Sequence, residues 1–325
     1  MQKIRITVLL VIAVALIAAL VYLLHFRLVP EPQLPGELAQ GTLEWDGDNR
    51  SYTYYSPVRQ APRRGLIFVF HGSQGDAAQA RLSYAYEFER LAETYGFFVV
   101  YPEGYEKHFN GCRKKGPYAA NELDIDDVGF IRALTRHFVI EHGADPEAVF
   151  ATGISNGGQM AIRLALEAPD LVTAVAPVAT SMPTPDNMGC TPSGKPVSLL
   201  LINGTDDPMN PFDGGKVALY GLVGDRGTVY SSYDSVRYWA ELAGHTGEPA
   251  RFTLPDLETG DASTVDVALW RQRGLKNVAL YSVNGGGHNV PHPQLKTPKL
   301  LGGTNQDLVG AEAIWAFFQM ALVTH

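Results

Sequence analysis

The sequence predicts an α/β fold with a mostly parallel central sheet covered by helices on both faces. Short, continuous apolar runs recur at Leu66–Phe70, Phe97–Tyr101, Ala148–Ala151, Val172–Val178, Val197–Ile202 and Val278–Val283, as expected of strands buried on both sides. Longer helix candidates alternate with them at Leu82–Tyr95, Asp127–Glu141, Gly157–Glu167, Tyr233–Ala243 and Asp307–Ala321, the order that winds a parallel sheet. With 325 residues and 46% apolar content, the chain can bury a large core.

Each element has its own local reason. Thr42–Trp45 and Tyr52–Tyr55 flank the turn sequence Asp46-Gly47-Asp48-Asn49, so they read as an opening hairpin. Asp126 is a natural N-cap for the helix carrying Val128, Ile131, Leu134 and Phe138. Pro169 stops the helix that begins at Gly157. Sheets of this kind gather reacting groups just beyond the carboxyl ends of their strands, which any proposed site must obey.

The N-terminus reads differently. Ile6–Leu24 holds no charge, and at ~1.5 Å per helical residue it approaches a hydrocarbon core of about 30 Å. The run is longer than a signal-peptide core and ends in bulky residues, Val21-Tyr22-Leu23-Leu24-His25-Phe26, where a cleavage site needs small ones. Residues 1–27 are therefore expected to form an uncleaved signal anchor, the alternative being secretion after cleavage. Lys3 and Arg5 precede the span, which places the remainder on the extracytoplasmic side, periplasmic or at the cell surface. Residues 28–41, with Pro30, Pro32, Pro35 and Gly36, suit an extended tether. Residues 42–325 form the expected catalytic domain.

A net charge of −8 without a basic block argues against a nucleic-acid partner. The two cysteines, Cys112 and Cys190, could pair in an oxidising compartment or remain as two buried thiols. Neither CxxC nor HExxH occurs, so no metal site is indicated. No required protein partner is evident.

The strongest chemical signal is Gly153-Ile154-Ser155-Asn156-Gly157, set between a strand and a helix. That context is the nucleophile elbow: the serine sits on a tight turn, and the glycines flank it because a Cβ would not fit. A serine hydroxyl needs a base to take its proton and a carboxylate to orient that base. In this arrangement they follow in the order serine, acid, histidine, each after a late strand. His288 meets the requirement, following Val278–Val283 and Gly285-Gly286-Gly287. His292 belongs to the loop, while His137 and His325 read as solvated. The strand Val197–Ile202 ends in Asn203-Gly204-Thr205-Asp206-Asp207-Pro208, where either aspartate could be the acid and the other could shape the turn. Leu66–Phe70 leads into His71-Gly72-Ser73-Gln74-Gly75. The backbone amides of Ser73 and Asn156 are then the candidates for an oxyanion hole, with His71 bracing the loop. Asp124, Asp126 and Asp127 read as helix capping and hydrogen bonding rather than metal ligation.

These motifs together resemble the polyhydroxybutyrate depolymerase/feruloyl esterase (LpqC-like) family of α/β-hydrolases. The resemblance runs from about Leu66 onward. It rests on His71-Gly72, Asp126-Asp127-Val128-Gly129-Phe130, Gly153–Gly158, Gly204-Thr205-Asp206-Asp207-Pro208, Pro211–Gly215 and Gly285–His288. It implies an α/β-hydrolase fold and a serine carboxylesterase working through an acyl-enzyme. Its nucleophile maps to Ser155, its base to His288 and its acid to Asp207. No cofactor is implied. The chain has Asn289-Val290-Pro291 where relatives place an aromatic residue before the proline, which favours a small or oligomeric ester over a polymer. Two other readings share the site: an acyltransferase using the same triad, and an inactive cell-envelope binding protein that kept the fold.

Overall fold

The computed structural model describes residues 21–59 and 61–323. The body of the expected signal anchor lies outside them. Among the described residues no helix is long and apolar enough to cross a membrane.

Twelve strands are described: β1 (Glu37–Trp45), β2 (Asp48–Ser56), β3 (Arg64–Phe70), β4 (Phe98–Pro102), β5 (Ala144–Ile154), β6 (Ala174–Val178), β7 (Ser198–Gly204), β8 (Gly215–Lys216), β9 (Thr228–Val229), β10 (Ala250–Thr253), β11 (Thr264–Trp270) and β12 (Val278–Asn284). Ten build one sheet in the order β1-β2-β4-β3-β5-β6-β7-β12-β11-β10, and β8 pairs with β9 in a separate ribbon. The six strands from β4 to β12 run parallel. Antiparallel strands close both edges.

The helices are α1 (Ala77–Ser83), α2 (Glu87–Tyr95), α3 (Ala119–Glu122), α4 (Asp127–His142), α5 (Asn156–Glu167), α6 (Ser232–Leu242) and α7 (Gly310–Val323). In β3, Leu66, Phe68 and Phe70 enter the core beneath α4, α5 and α6, whereas Ile67 and Val69 enter the core beneath α1, α2 and α7. This period-two division explains the unbroken apolar run in the sequence: neither face of the strand meets water. Phe150 of β5 stacks on Phe318 of α7 with ring centroids 4.6 Å apart, an offset contact that adds to the burial of both rings.

The structure departs from the sequence expectation in several places. The helix expected over Leu82–Tyr95 is two, α1 and α2, because Ala85 and Tyr86 take positive φ angles of 52° and 61°. The break allows Arg81, near the end of α1, to pair with Glu89 of α2 at 2.5 Å in the interior. The last two strands on one side of the sheet, β10 and β11, were not anticipated. The alternation in Thr264–Trp270 was their one signal, masked by the charged loops around it. The last residues of the expected tether, Glu37–Gly41, belong to β1. The preceding segment is docked: Arg27 bridges Lys296, and Val29 is buried with Ala85 and Leu295.

Cys112 and Cys190 form a disulfide with Cα atoms 4.9 Å apart. Asp126 caps α4 by accepting from the Gly129 amide at 2.8 Å. Asp127 is buried against Arg50 at 2.5 Å and also accepts from the Asn110 amide, while Asp124 accepts from the Asn110 side chain. All three aspartates are thus engaged in the scaffold. His137 is half-buried rather than solvated, with its ring edge-on to Tyr52 and Phe138.

Candidate active site

Three neighbouring parts of the sheet's carboxyl edge deliver the site. Ser155 stands directly after β5, Asp207 shortly after β7, and His288 shortly after β12. The crossovers that precede these strands place all three loops on one side, as parallel pairing requires.

Ser155 is held at φ 56°, ψ −112°, a region that a residue with a Cβ occupies only under constraint, at a cost of order 1–3 kcal/mol. The constraint is visible on both sides. The Ser155 amide donates to Val178 O at 2.9 Å, and its carbonyl accepts from the Gln159 amide at 2.9 Å as α5 begins. The flanking glycines are sterically required: a Cβ on Gly153 would stand 2.6 Å from the Gly157 backbone, and one on Gly157 would stand 2.4 Å from Phe70 O. The sharp turn is thus wedged between β3 and the start of its own helix.

Asp207 and His288 meet. Nδ1 of His288 lies 2.7 Å from Oδ2 of Asp207, and both side chains are buried. The other carboxylate oxygen, Oδ1, accepts from the amides of Met209 at 2.7 Å and Asn210 at 2.9 Å. Three donors on one carboxylate fix its plane. Asp206, by contrast, is exposed. Its amide donates to Gly286 O at 2.9 Å, so it ties the two loops rather than touching the imidazole. Close packing continues there: a Cβ on Gly204 would lie 2.2 Å from Gly286 O. The His288 amide donates to Leu301 O at 2.6 Å, which anchors the imidazole's backbone.

The loop after β3 lies against the elbow. A Cβ on Gly72 would be 3.9 Å from Cβ of Ser155, so Ser73 follows a point of direct backbone approach to Ser155. His71 is fully buried, with Nδ1 2.7 Å from Gly72 O and Nε2 accepting from the Gly104 amide at 3.0 Å. Burial pushes this imidazole down to about 4, consistent with a neutral ring whose Nδ1 donates and whose Nε2 accepts. Asn156 opens α5, where helix amides point outward unpaired. His292 accepts from the amides of Gln294 and Leu295 through Nδ1, so it shapes its own loop.

Several contributors had escaped the sequence reading. The Asn156 side chain bonds both the amide and the carbonyl of Phe109, joining the 105–112 loop to the elbow. Gln159 donates to Thr180 Oγ1 at 2.6 Å and to Ser181 O at 2.8 Å. Asn203 accepts from the Thr180 amide and donates to Thr180 O and Ser232 Oγ. A polar residue at the end of an otherwise apolar strand was the available signal for Asn203, but it looked like turn chemistry. No group of three or more histidine, cysteine, aspartate or glutamate side chains able to hold a metal is found among the described residues.

The sheet shares its fold with solved esterases. The acetyl xylan esterase from Aspergillus awamori superposes with a TM-score of 0.54 at 17% identity, over 86% of this chain and 99% of that one. The fold is thus an esterase-like α/β one, and the family and relatives that follow make the class that of carboxylic ester hydrolases. The chain belongs to the esterase PHB depolymerase family, whose pattern matches residues 50–182. It is similar to the putative esterase NocK of Nocardia uniformis subsp. tsuyamanensis, 30% identical over 276 residues that span 82% of this chain and 78% of NocK. Feruloyl esterase B of Piromyces equi is 26% identical over 69% of this chain, which spans 39% of that enzyme's length.

Proposed function

We propose that the protein hydrolyses carboxylic esters through a Ser155–His288–Asp207 triad and an acyl-enzyme. The observation that carries this is the Asp207–His288 contact at 2.7 Å, on loops at the same carboxyl edge of the sheet as a serine held at φ 56°. His288 Nε2 takes the proton from Ser155 Oγ as the oxygen attacks the ester carbonyl. The amides of Ser73 and Asn156 receive the negative charge that develops on the carbonyl oxygen, each contributing roughly 3–4 kcal/mol in the tetrahedral state. Collapse breaks the bond to the alcohol, which leaves with the proton from His288. Water then attacks the acyl-enzyme with His288 again as base, releasing the acid and restoring Ser155. Asp207 holds the Nδ1–H tautomer throughout. No cofactor enters the cycle.

The substrate in this reading is a small or oligomeric ester, in line with relatives named as feruloyl and acetylxylan esterases. Residues 1–27 serve as a membrane anchor and the segment from 28 to the start of β1 as the connection, with the catalytic domain outside the cytoplasmic membrane. The Cys112–Cys190 disulfide supports an oxidising compartment. A fluorophosphonate probe tests the nucleophile: the wild-type protein is expected to label at Ser155 and the Ser155→Ala variant to lose the label. Labelling that persists in the variant would refute the assignment.

A further inference from the structure

Two loops meet beside the Ser73 segment, and each carries an arginine. Tyr118 forms the junction. Its hydroxyl receives Ser73 Oγ at 3.1 Å and Arg226 Nε at 2.7 Å, and its ring stacks on His108 with centroids 4.0 Å apart. The arrangement is built from the interior. Asn187, 1% exposed, accepts from the Lys115 amide and donates to the carbonyls of Arg226 and Thr228, all at 3.0 Å. The backbone of Arg113 pairs with Met188, and the Cys112–Cys190 disulfide closes the same seam. A buried amide and a covalent link therefore fix the Arg113 and Arg226 loops relative to each other.

The charges at this junction do not balance. Arg113 is 5% exposed, yet among the described residues neither its guanidinium nor that of Arg226 pairs with a carboxylate. The nearby carboxylates are occupied elsewhere: Asp225 with Lys216 at 3.7 Å, and Asp186 with the hydroxyls of Thr184 and Thr228. Burial pulls the Arg113 guanidinium down to about 10, and Arg226 adds repulsion, so it remains a cation at neutral pH. A buried cation without a counter-charge is unfavourable until an anion reaches it. Guanidinium forks match a carboxylate in particular, since two parallel N–H donors meet its two oxygens.

We propose that Arg113 and Arg226 form an anion subsite next to the nucleophile, selecting ester substrates that carry a free carboxylate. The inference rests on Ser155 as the nucleophile and narrows the substrate class of the same site. The carboxylate could reside on the acid or on the alcohol half of the ester, and two matched pairs of substrates separate these. For the acid half, mono-p-nitrophenyl succinate is compared with p-nitrophenyl butyrate. For the alcohol half, 4-acetoxybenzoate is compared with 4-acetoxybenzamide.

In the full-length protein, kcat/KM for the charged ester is expected to exceed that of its neutral match by about tenfold or more in one pair. Arg226→Gln, at a half-exposed position, should collapse that ratio mainly through KM, and Arg226→Lys should restore part of it. Arg113→Met should lower the ratio in the same direction, with a cooperative thermal transition as the check on folding. An active enzyme without charge preference in either pair, or a ratio unmoved by Arg226→Gln, overturns the subsite alone. Absence of turnover together with absence of fluorophosphonate labelling would remove the nucleophile assignment and this subsite with it.

Discussion

Acidification should unfold this protein partly through one residue, His71. In the folded chain its imidazole is fully buried, and its Nε2 lone pair is already used by the Gly104 amide. A proton there would remove an acceptor and leave a charge in the interior, even with Glu103 3.8 Å away. Burial accordingly holds the group near a pKa of about 4, whereas an unfolded histidine titrates near ~6.5. Because the unfolded chain binds the proton first, the stability contributed by the neutral ring is complete above about pH 6.5. It is lost as pH falls toward 4. The difference of ~2.5 units, at about 1.36 kcal/mol each, gives roughly 3 kcal/mol lost between pH 7 and pH 4. Urea denaturation at a series of pH values would measure it, in wild type and in His71→Gln, which retains an acceptor for the Gly104 amide. The variant is expected to be less stable at pH 7 but to lose about 3 kcal/mol less on acidification. Parallel stability curves for the two proteins from pH 7 to pH 4 would refute the reasoning. The comparison cancels the other titrating groups, including His108 and His142, whose values burial also lowers.

Two further outcomes follow from the geometry. Asp207→Asn removes the acceptor that fixes the His288 tautomer, so kcat toward p-nitrophenyl acetate should fall by a factor on the order of 10⁴ with little change in KM; a loss under tenfold would argue that another carboxylate orients the imidazole. Joint replacement of Cys112 and Cys190 by serine frees a loop closed across 78 residues, which in the chain-entropy account lowers unfolding stability by about 4 kcal/mol. Guanidinium denaturation of the double variant, compared with wild type with and without reductant, checks it; coincident curves would show that the bond contributes little.

The elements most legible in the sequence were those whose reason is local or periodic. Strands buried on both faces read as largely apolar runs, and β3 to β7 appeared where expected because burial on both sides favours apolar side chains at most of their positions. The elbow was legible for a related reason. Gly153 and Gly157 are required by contacts of 2.4–2.6 Å to backbone only a few residues or one strand away, so the requirement is written into a five-residue stretch. The order of serine, aspartate and histidine along the chain likewise follows from strand-by-strand winding.

What only the tertiary structure decided depends on segments far apart in the chain. Asp206 and Asp207 are equivalent as sequence; burial of one, and the 2.7 Å approach of His288 from 81 residues away, separates them. The fate of Arg113 and Arg226 could not be read at all, because a charge unmatched in the fold looks the same in a sequence as one solvated at the surface. The last two strands, β10 and β11, escaped for the converse reason: β10 is exposed along its length and β11 in part, so their apolar signal is weak. The sequence by itself thus determined the sheet's interior and the serine at its edge, since steric and hydrophobic constraints act on neighbouring residues. Tertiary packing alone decided which carboxylate faces the histidine and which cations lack a carboxylate partner among the described residues, since electrostatic pairing is set by distance in space and by exclusion of water.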